Sequence, residues 1–403
     1  MRAITPSVLV LMIVATTSHA APARGAEPLP AMGLDPAGTT VSGLSSGAYM
    51  AVQFHVAHSA SLLGAGVVAG GPYFCAEGQL PTALNRCMKT ILGTPDAAAL
   101  LARARALAGE GRIDALAGLA GDRVYLFSGS QDNTVTRPVM DAARDFYRQA
   151  GIADQAIKYV TTIAAGHGFI VEQASNACAA TGSPFINDCD YDQAGDILQH
   201  LYGALQPPGA ARAARLLAFD QAAFLATPES HGMASQGFAY IPSACQSGPA
   251  CRLHIAFAGC KQTPADIGDL YARTTGYNRW AETNRLVILY PQSHTSGGNP
   301  NGCWDWWGYD DANYHTKRGR QMEAVARMAT RLGVPLANGG PVTGTCRKFD
   351  DWNWRHWLEG RAATCGWFSV CAVGSGEILG PGYRAATLYE KPEGNFSTTP
   401  CMP

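Results

Sequence analysis

Apolar residues along this chain gather in short runs that end in glycine or small polar turns. Such runs occur at residues 63–72, 123–130, 158–163, 253–258 and 286–292, and a β-prone stretch lies at 39–42. Runs this short, bounded by turns, read as strands buried on both faces. Between them lie stretches with helical spacing or helix-forming composition: 48–57, 95–120, 136–150, 192–205, 277–284 and 319–332. Strands that alternate with helices predict an α/β fold, a mostly parallel sheet covered by helices on both sides. Residues 206–250 read as a connection, with 219–232 packed over the body. The tail from 339 changes character. It is rich in Gly, Trp and Cys, with strand-like pieces at 367–370 and 385–389. The expected division is a leader over 21–32, a main domain over 33–338 and a small module over 339–403, a size that needs covalent staples.

The first twenty residues have a different pattern. Arg2 supplies charge, residues 8–15 are an apolar core, and Ser18-His19-Ala20 fits a small-x-small cleavage site. The core is too short to span a bilayer. Residues 1–20 therefore read as a signal peptide of a secreted protein, extracellular or periplasmic, with no membrane partner and acting as a monomer. Twelve cysteines, an even number, all follow it. In an exported chain they read as a disulfide set. Spacing suggests Cys75 with Cys87, Cys178 with Cys189 and Cys245 with Cys251. That leaves Cys260 for Cys303, while Cys346, Cys365, Cys371 and Cys401 pair among themselves in an open order. No C-x-x-C faces a second one or spaced histidines, so no metal is expected. A formal net charge of −1 excludes an electrostatic partnership with nucleic acid.

The chemistry centres on Gly43-Leu44-Ser45-Ser46-Gly47. A strand, a sharp turn and a helix are the setting of a G-x-S-x-G nucleophile elbow. The serine takes a strained backbone there, and glycine on either side removes clashes with the converging strand and helix. A serine hydroxyl needs a base, and the base needs an orienting carboxylate. In parallel sheets these groups sit on loops after strands. Asp132 follows the 123–130 strand and His167 follows the 158–163 strand, in the order such folds use. His55, His58, His200 and His254 lie within helices or a strand, and Asp122 precedes its strand. Asp188, Asp190 and Asp192 come after His167. An oxyanion hole needs two backbone N–H groups. Ser46 supplies one. The other normally comes from a loop after an earlier strand, and the mature chain before Ser45 is too short to hold that strand and loop, so the best candidate is Gly259-Cys260. This implies a circularly permuted strand order.

The segments at 43–75, FSGSQDNTV, AAGHGF, INDCDYD, HIAFAGCKQ and NPNGCWDWWGY stand in this order along the chain. Together they resemble secreted poly(3-hydroxybutyrate) depolymerases of the single-domain, circularly permuted α/β-hydrolase type. The resemblance runs from about 33 to 335. It implies Ser45 as nucleophile, Asp132 as acid and His167 as base, with Ser46 and Cys260 forming the oxyanion hole. It also implies a polyester substrate, a cleft lined by Trp304, Trp306 and Trp307, and no cofactor. Residues 357–362 and 372–376 look similar to a small module at the end of some secreted depolymerases, which leaves two roles open: adhesion to polymer or a cap on the body. Two rival readings remain. One is a feruloyl or acetyl-xylan esterase with the same machinery; the other is a non-catalytic polymer-binding protein.

Overall fold

The computed structural model describes residues 26–246, 250–336, 347–358, 361–366, 369–373, 377–391 and 395–398. The signal segment 1–20, Cys346, Cys401 and residues 367–368 lie outside these. Strand β1 (Thr40–Leu44) runs into helix α1 (Ser46–Ala57), and β2 (Gly64–Val68) follows. Helices α2 (Leu80–Asn85) and α3 (Ala97–Gly109) precede β3 (Arg123–Phe127), α4 (Arg137–Gln149) and β4 (Ile157–Val160). Three short strands, β5 (Phe169–Val171), β6 (Asn176–Ala177) and β7 (Ile186–Asp188), form a small separate sheet before α5 (Gln193–Tyr202). Then come β8 (Leu216–Asp220), β9 (Gln236–Tyr240), β10 (Arg252–Phe257), α6 (Pro264–Ile267), α7 (Leu270–Thr274), α8 (Tyr277–Asn284), β11 (Leu286–Tyr290) and α9 (Arg320–Arg331).

The main sheet has eight strands in the order β4-β3-β2-β1-β10-β11-β9-β8. The six from β4 to β11 are parallel, and β9 and β8 add to the edge antiparallel. Alternation along each strand builds two cores. Val124 and Leu126 face one side with Val67, Ile255 and Leu289, under α1, α3, α4 and α9. Tyr125 and Phe127 face the other with Val68, Ile288 and Tyr290, under α5, α7 and α8. All of α1 is buried, as expected of a helix that is apolar all round. Its start, and therefore the elbow, is fixed in the middle of the sheet.

Two expectations are corrected. Residues 206–250 are not merely a connection. They contain β8 and β9, whose apolar alternation is broken by Ala and Gly and so gives a weak period-two signal. Nor is all of the 21–32 leader the flexible segment that its Ala/Pro-rich composition suggests. Glu27 forms a parallel bridge to Phe219, with its N–H on Ala218 O at 3.1 Å, and Leu29 is buried against the core. The open edge of β8 offers backbone partners, and one leucine is enough to anchor the strand beside it. The 95–120 stretch is helical only to Gly109; a 3-10 turn occupies Leu116–Leu119.

In the tail, β12 (Arg347–Trp352), helix α10 (Asn353–Leu358), β13 (Ala362–Gly366), β14 (Ser369–Ala372), β15 (Ile378–Gly380), β16 (Ala385–Lys391) and β17 (Asn395–Ser397) make two three-stranded sheets, β12-β16-β17 and β13-β14-β15. Five disulfides join described residues: Cys75–Cys87, Cys178–Cys189, Cys245–Cys251, Cys260–Cys303 and Cys365–Cys371.

A polar network lies inside the apolar body. His254 on β10 meets Thr40 Oγ1 through Nδ1 (2.7 Å) and Ser42 Oγ through Nε2 (2.8 Å), and Ser42 also meets the Tyr277 hydroxyl at 2.6 Å. Burial holds the imidazoles of His58, His254 and His315 down at about 3. In the unfolded chain each would titrate near 6.5. The unfolded state therefore binds more protons between these values, so stability is complete above about 6.5 and is lost as pH falls towards 3. Each histidine withdraws about 1.4 kcal/mol per pH unit in that window. His315 has both ring nitrogens unpartnered and packs 4.2 Å from the Phe74 ring. The guanidinium unfolding midpoint should drop steeply below pH 6.5, and His315→Phe should make that drop shallower by one histidine's share. An unchanged slope in the variant would refute the assignment.

Candidate active site

Ser45 sits between β1 and α1 with φ 56° and ψ −121°, a strained conformation for a residue with a side chain. Its N–H is held by Val68 O at 2.9 Å, and its carbonyl accepts the N–H groups of Ala48 (2.8 Å) and Tyr49 (3.0 Å). It is half-buried while its neighbours are buried. The flanking glycines are dictated by contact distances. A Cβ on Gly43 would lie 2.1 Å from Gly47 O, and a Cβ on Gly47 would lie 2.4 Å from the carbonyl oxygens of both Phe257 and Ala258. The turn can form only where these methyl groups are absent.

The loops after β3 and β4 interlock. Ser130 and Gln131 donate their N–H groups to Ile163 O (2.9 Å) and Ala165 O (3.0 Å), and a Cβ on Gly129 would meet Ala165 O at 2.3 Å. This interlock brings Asp132 to His167. Asp132 Oδ2 meets His167 Nδ1 at 2.8 Å, and both residues are buried. Asp132 Oδ1 accepts the N–H groups of Thr134 (2.8 Å) and Val135 (3.1 Å). The carboxylate is therefore fixed, and it leaves His167 Nε2 as the nitrogen available for chemistry. The His167 N–H donates to Thr181 Oγ1 at 2.9 Å. Behind it, Gly166 lies so close to Ala180 O that a Cβ would approach to 2.3 Å.

A second buried imidazole–carboxylate pair exists, His55 Nε2 with Asp122 Oδ2 at 2.9 Å and Tyr147 OH on Nδ1 at 3.1 Å; a third, His231 Nδ1 with Asp310 Oδ1 at 2.9 Å, is only partly buried. The His55 pair lies ten residues along α1 from Ser45, about 15 Å at helical rise. His55 is wholly buried, and burial pushes the Asp122 carboxyl up.

Ser46 opens α1, so its N–H has no intrahelical acceptor. The turn after β10 passes over the elbow: a Cβ on Gly259 would lie 3.2 Å from Leu44 O and 3.4 Å from Ser45 Cβ. This places Cys260 beside Ser45 across two adjacent strands.

All three tryptophans of this loop are buried, Trp304 most deeply. Trp304 is fully buried, which corrects the expectation that it lines a cleft. Its Nε1 donates to Ala258 O (3.0 Å), its ring packs 5.1 Å from Phe257, and its N–H reaches Ser46 Oγ at 3.3 Å. It supports the site from beneath. Trp306 stacks on Tyr49 at 4.0 Å and 11°, and Trp307 packs edge-on to Trp306. Both belong to an aromatic cluster with Cys75, Cys87 and Cys303. Sequence reasoning missed two members of this region. Tyr49 stands on α1, one turn from the elbow. Asp305 accepts four loop N–H groups, those of Gly308 (2.7 Å), Tyr309 (3.0 Å), Asp310 (3.2 Å) and Asp311 (3.1 Å). Its signal was an aspartate opening an Asp/Gly-rich turn. Among the described residues no group of His, Cys, Asp and Glu is arranged to hold a metal.

Fold and elbow together define an α/β-hydrolase. No protein-family model matches the chain. It is 47% identical over 309 residues to a poly(3-hydroxybutyrate) depolymerase of Delftia acidovorans, a match that covers 75% of this chain and 61% of that protein. It is 38% identical over 323 residues to a polyhydroxybutyrate depolymerase of Talaromyces funiculosus, covering 75% of this chain and 92% of the relative. The crystal structure of the PHB depolymerase from Penicillium funiculosum superposes with a TM-score of 0.70 at 36% identity, covering 77% of this chain and 99% of that one. A serine-to-alanine PHB depolymerase complexed with an R3HB trimer superposes equally well, with a TM-score of 0.70 at 35% identity over the same shares. The chain belongs to the poly(3-hydroxybutyrate) depolymerase family.

Gly47→Ala should lower stability by about 1–3 kcal/mol through forced overpacking against β10, and ester hydrolysis should fall with it. Gly109→Ala, at the exposed end of α3 with nothing within 4 Å, should match or slightly exceed wild type in thermal unfolding. Equal melting temperatures for the two variants would sink the steric account.

Proposed function

We propose that this chain is a secreted serine hydrolase that cleaves the ester bonds of poly(3-hydroxybutyrate) or a related polyhydroxyalkanoate. The observation that carries the reading is the Asp132–His167 pair on the interlocked loops after β3 and β4, at the same end of the parallel sheet as the strained Ser45. Ser45 Oγ attacks the ester carbonyl while His167 Nε2 takes its proton. The N–H groups of Ser46 and Cys260 hold the oxyanion. His167 returns the proton to the leaving hydroxyl, then activates the water that releases the acid from the acyl-enzyme. Asp132 stays ionised and fixes the imidazole tautomer. We read the strand order, with β10 and β11 completing the sheet on the far side of β1, as a circular permutation.

Several features support a polymer rather than a soluble ester as substrate. Leu80 and Leu84 of α2 are exposed, as are Leu92 and Ile91, the last at 71%. This segment is tied to the catalytic loop, because Thr136 donates both its N–H (2.9 Å) and its hydroxyl (3.2 Å) to Met88 O. An apolar rim beside the site suits an apolar solid. Trp306 and Trp307 pack in the cluster beside this segment and are themselves buried, at 5% and 9% exposed, so they would meet the chain of the polymer only at their edges. In the tail, Trp352, Trp354 and Trp357 are each about half exposed, which favours adhesion over a cap. The even cysteine set and its five described disulfides support an oxidising compartment outside the cytoplasm. No helix among the described residues is long and apolar enough to cross a membrane.

Wild type should clear a turbid poly(3-hydroxybutyrate) suspension, and Ser45→Ala should lose at least about a thousandfold in rate. Cleavage of p-nitrophenyl butyrate or a feruloyl ester without clearing would keep the hydrolase and remove the polymer. Failure of well-folded protein on every ester would favour a binding protein. A combined Trp352→Ala, Trp354→Ala and Trp357→Ala variant should clear polymer more slowly yet hydrolyse p-nitrophenyl butyrate as wild type does; equal clearing would assign those rings elsewhere.

A further inference from the structure

We propose that Gln262 is a positioning residue for the oxyanion hole. The proposal rests on the reading above that Cys260 supplies one of its two N–H groups. Gln262 is 1% exposed, and both ends of its amide are used. Its Oε1 accepts the N–H of Gly259 at 2.6 Å. Its Nε2 donates to Pro184 O at 2.7 Å and to Phe185 O at 3.4 Å. The side chain therefore folds back over its own turn and clips that turn to a second loop. That second loop belongs to the histidine side of the site. Phe185 O accepts the Phe169 N–H at 2.9 Å, and the Phe185 ring lies 6.4 Å from the His167 ring, edge-on.

The consequence is directional. Gly259 N–H is drawn to Gln262, and Lys261 N–H is drawn to Asn301 O at 2.8 Å. The peptide between them, which carries the Cys260 N–H, is bracketed on both sides. Lys261 takes φ 58°, so the chain reverses sharply within this bracket. The turn lies against Ser45, with the Gly259 Cβ position 3.4 Å from Ser45 Cβ and 3.3 Å from Gln262 Oε1. An oxyanion donor works only if it is aimed before charge develops, because reorientation during the reaction consumes the stabilisation it offers. Gln262 does this aiming from outside the substrate's reach. It also links the aim of the oxyanion donor to the loop that flanks the base.

Two substitutions separate positioning from bulk. Gln262→Met keeps length and removes both hydrogen bonds. It should lower kcat for p-nitrophenyl butyrate about tenfold to a hundredfold with KM unchanged, and weaken phenylboronic acid, which forms a tetrahedral adduct on Ser45, by a similar factor. Gln262→Glu is the internal control. When protonated, its carboxyl mimics the amide, accepting from Gly259 and donating to Pro184 O. When ionised, it lacks the donor and sets a negative charge near the developing oxyanion. The ratio of its kcat to that of wild type should therefore rise as pH falls, which a loss of packing alone would not produce. Melting temperatures and near-ultraviolet circular dichroism report the folded fraction. If Gln262→Met fails to fold, the pH ratio of Gln262→Glu decides alone. A kcat within twofold of wild type in folded Gln262→Met, or a flat ratio in Gln262→Glu, overturns the proposal. Ser45→Ala run alongside tests the underlying site separately: retained activity there would remove the hydrolase reading itself.

Discussion

The structure depends on one steric constraint, the close approach of three backbone segments at the elbow. β1 must turn into α1 within a single residue, and β10 must end against the same turn. Gly43 faces Gly47 O at a distance no side chain tolerates, and Gly47 faces the last carbonyls of β10 in the same way. Because the backbones touch, Ser45 is raised at the sheet's edge while everything around it is buried. The same contact brings the turn at Gly259 and Cys260 over the serine. The proposed nucleophile and the proposed oxyanion donors are thus consequences of one packing event.

The loops that complete the site are long and irregular, and they are held by other means. The loop after β3 is locked to the loop after β4 by backbone hydrogen bonds and by Gly129. Cys178–Cys189 closes the segment that follows His167, and Cys260–Cys303 joins the turn over Ser45 to the Trp304–Trp307 loop. Asp305 then gathers that loop through four N–H groups. Burial pushes its carboxyl up to about 7, against those four bonds, which favour the ionised form. A covalent bond and a caged carboxylate thus do for this loop what sheet pairing does for the strands.

Much of this was legible in the chain for a physical reason. Four strands, β2, β3, β10 and β11, are short apolar runs because a parallel strand inside the sheet is covered on both faces, and such runs survive in sequence; β4, read the same way, is an edge strand and only half-buried. The elbow was legible because its sterics demand glycine at fixed offsets. That Asp132 and His167 come together was legible because both lie on loops after neighbouring strands. The segments β8 and β9 were not, because antiparallel edge strands with mixed burial leave little period. The leader's attachment through Glu27 uses backbone groups, which carry no residue signature. Trp304 misled for the opposite reason. Its composition suggests a cleft, but in W-D-W-W all three rings turn inward, and only the sheet's geometry decides that Trp304 lies deepest. Gln262 likewise shows no pattern, since its role rests on a side chain reaching back three residues and across to another loop.

The two buried imidazole–carboxylate pairs show why position outweighs chemistry here. His55–Asp122 and His167–Asp132 have nearly the same separation, 2.9 and 2.8 Å. Both are buried, and each histidine has one nitrogen on a carboxylate. In the first pair the other nitrogen is taken by Tyr147 inside the core, and the carboxylate precedes its strand. That pair can only tie α1 to the sheet. In the second, the carboxylate follows its strand, its spare oxygen is held by two loop N–H groups, and the interlocked loops carry the imidazole to the sheet edge where Ser45 is raised. The difference lies in which end of β3 each aspartate occupies, ten residues apart. A parallel sheet directs all its strands the same way, so its two ends are chemically unlike, one closed by packing and the other open to loops. By that polarity alone the fold places one of these identical residue pairs inside the packing and the other, the pair proposed to act on substrate, among the loops.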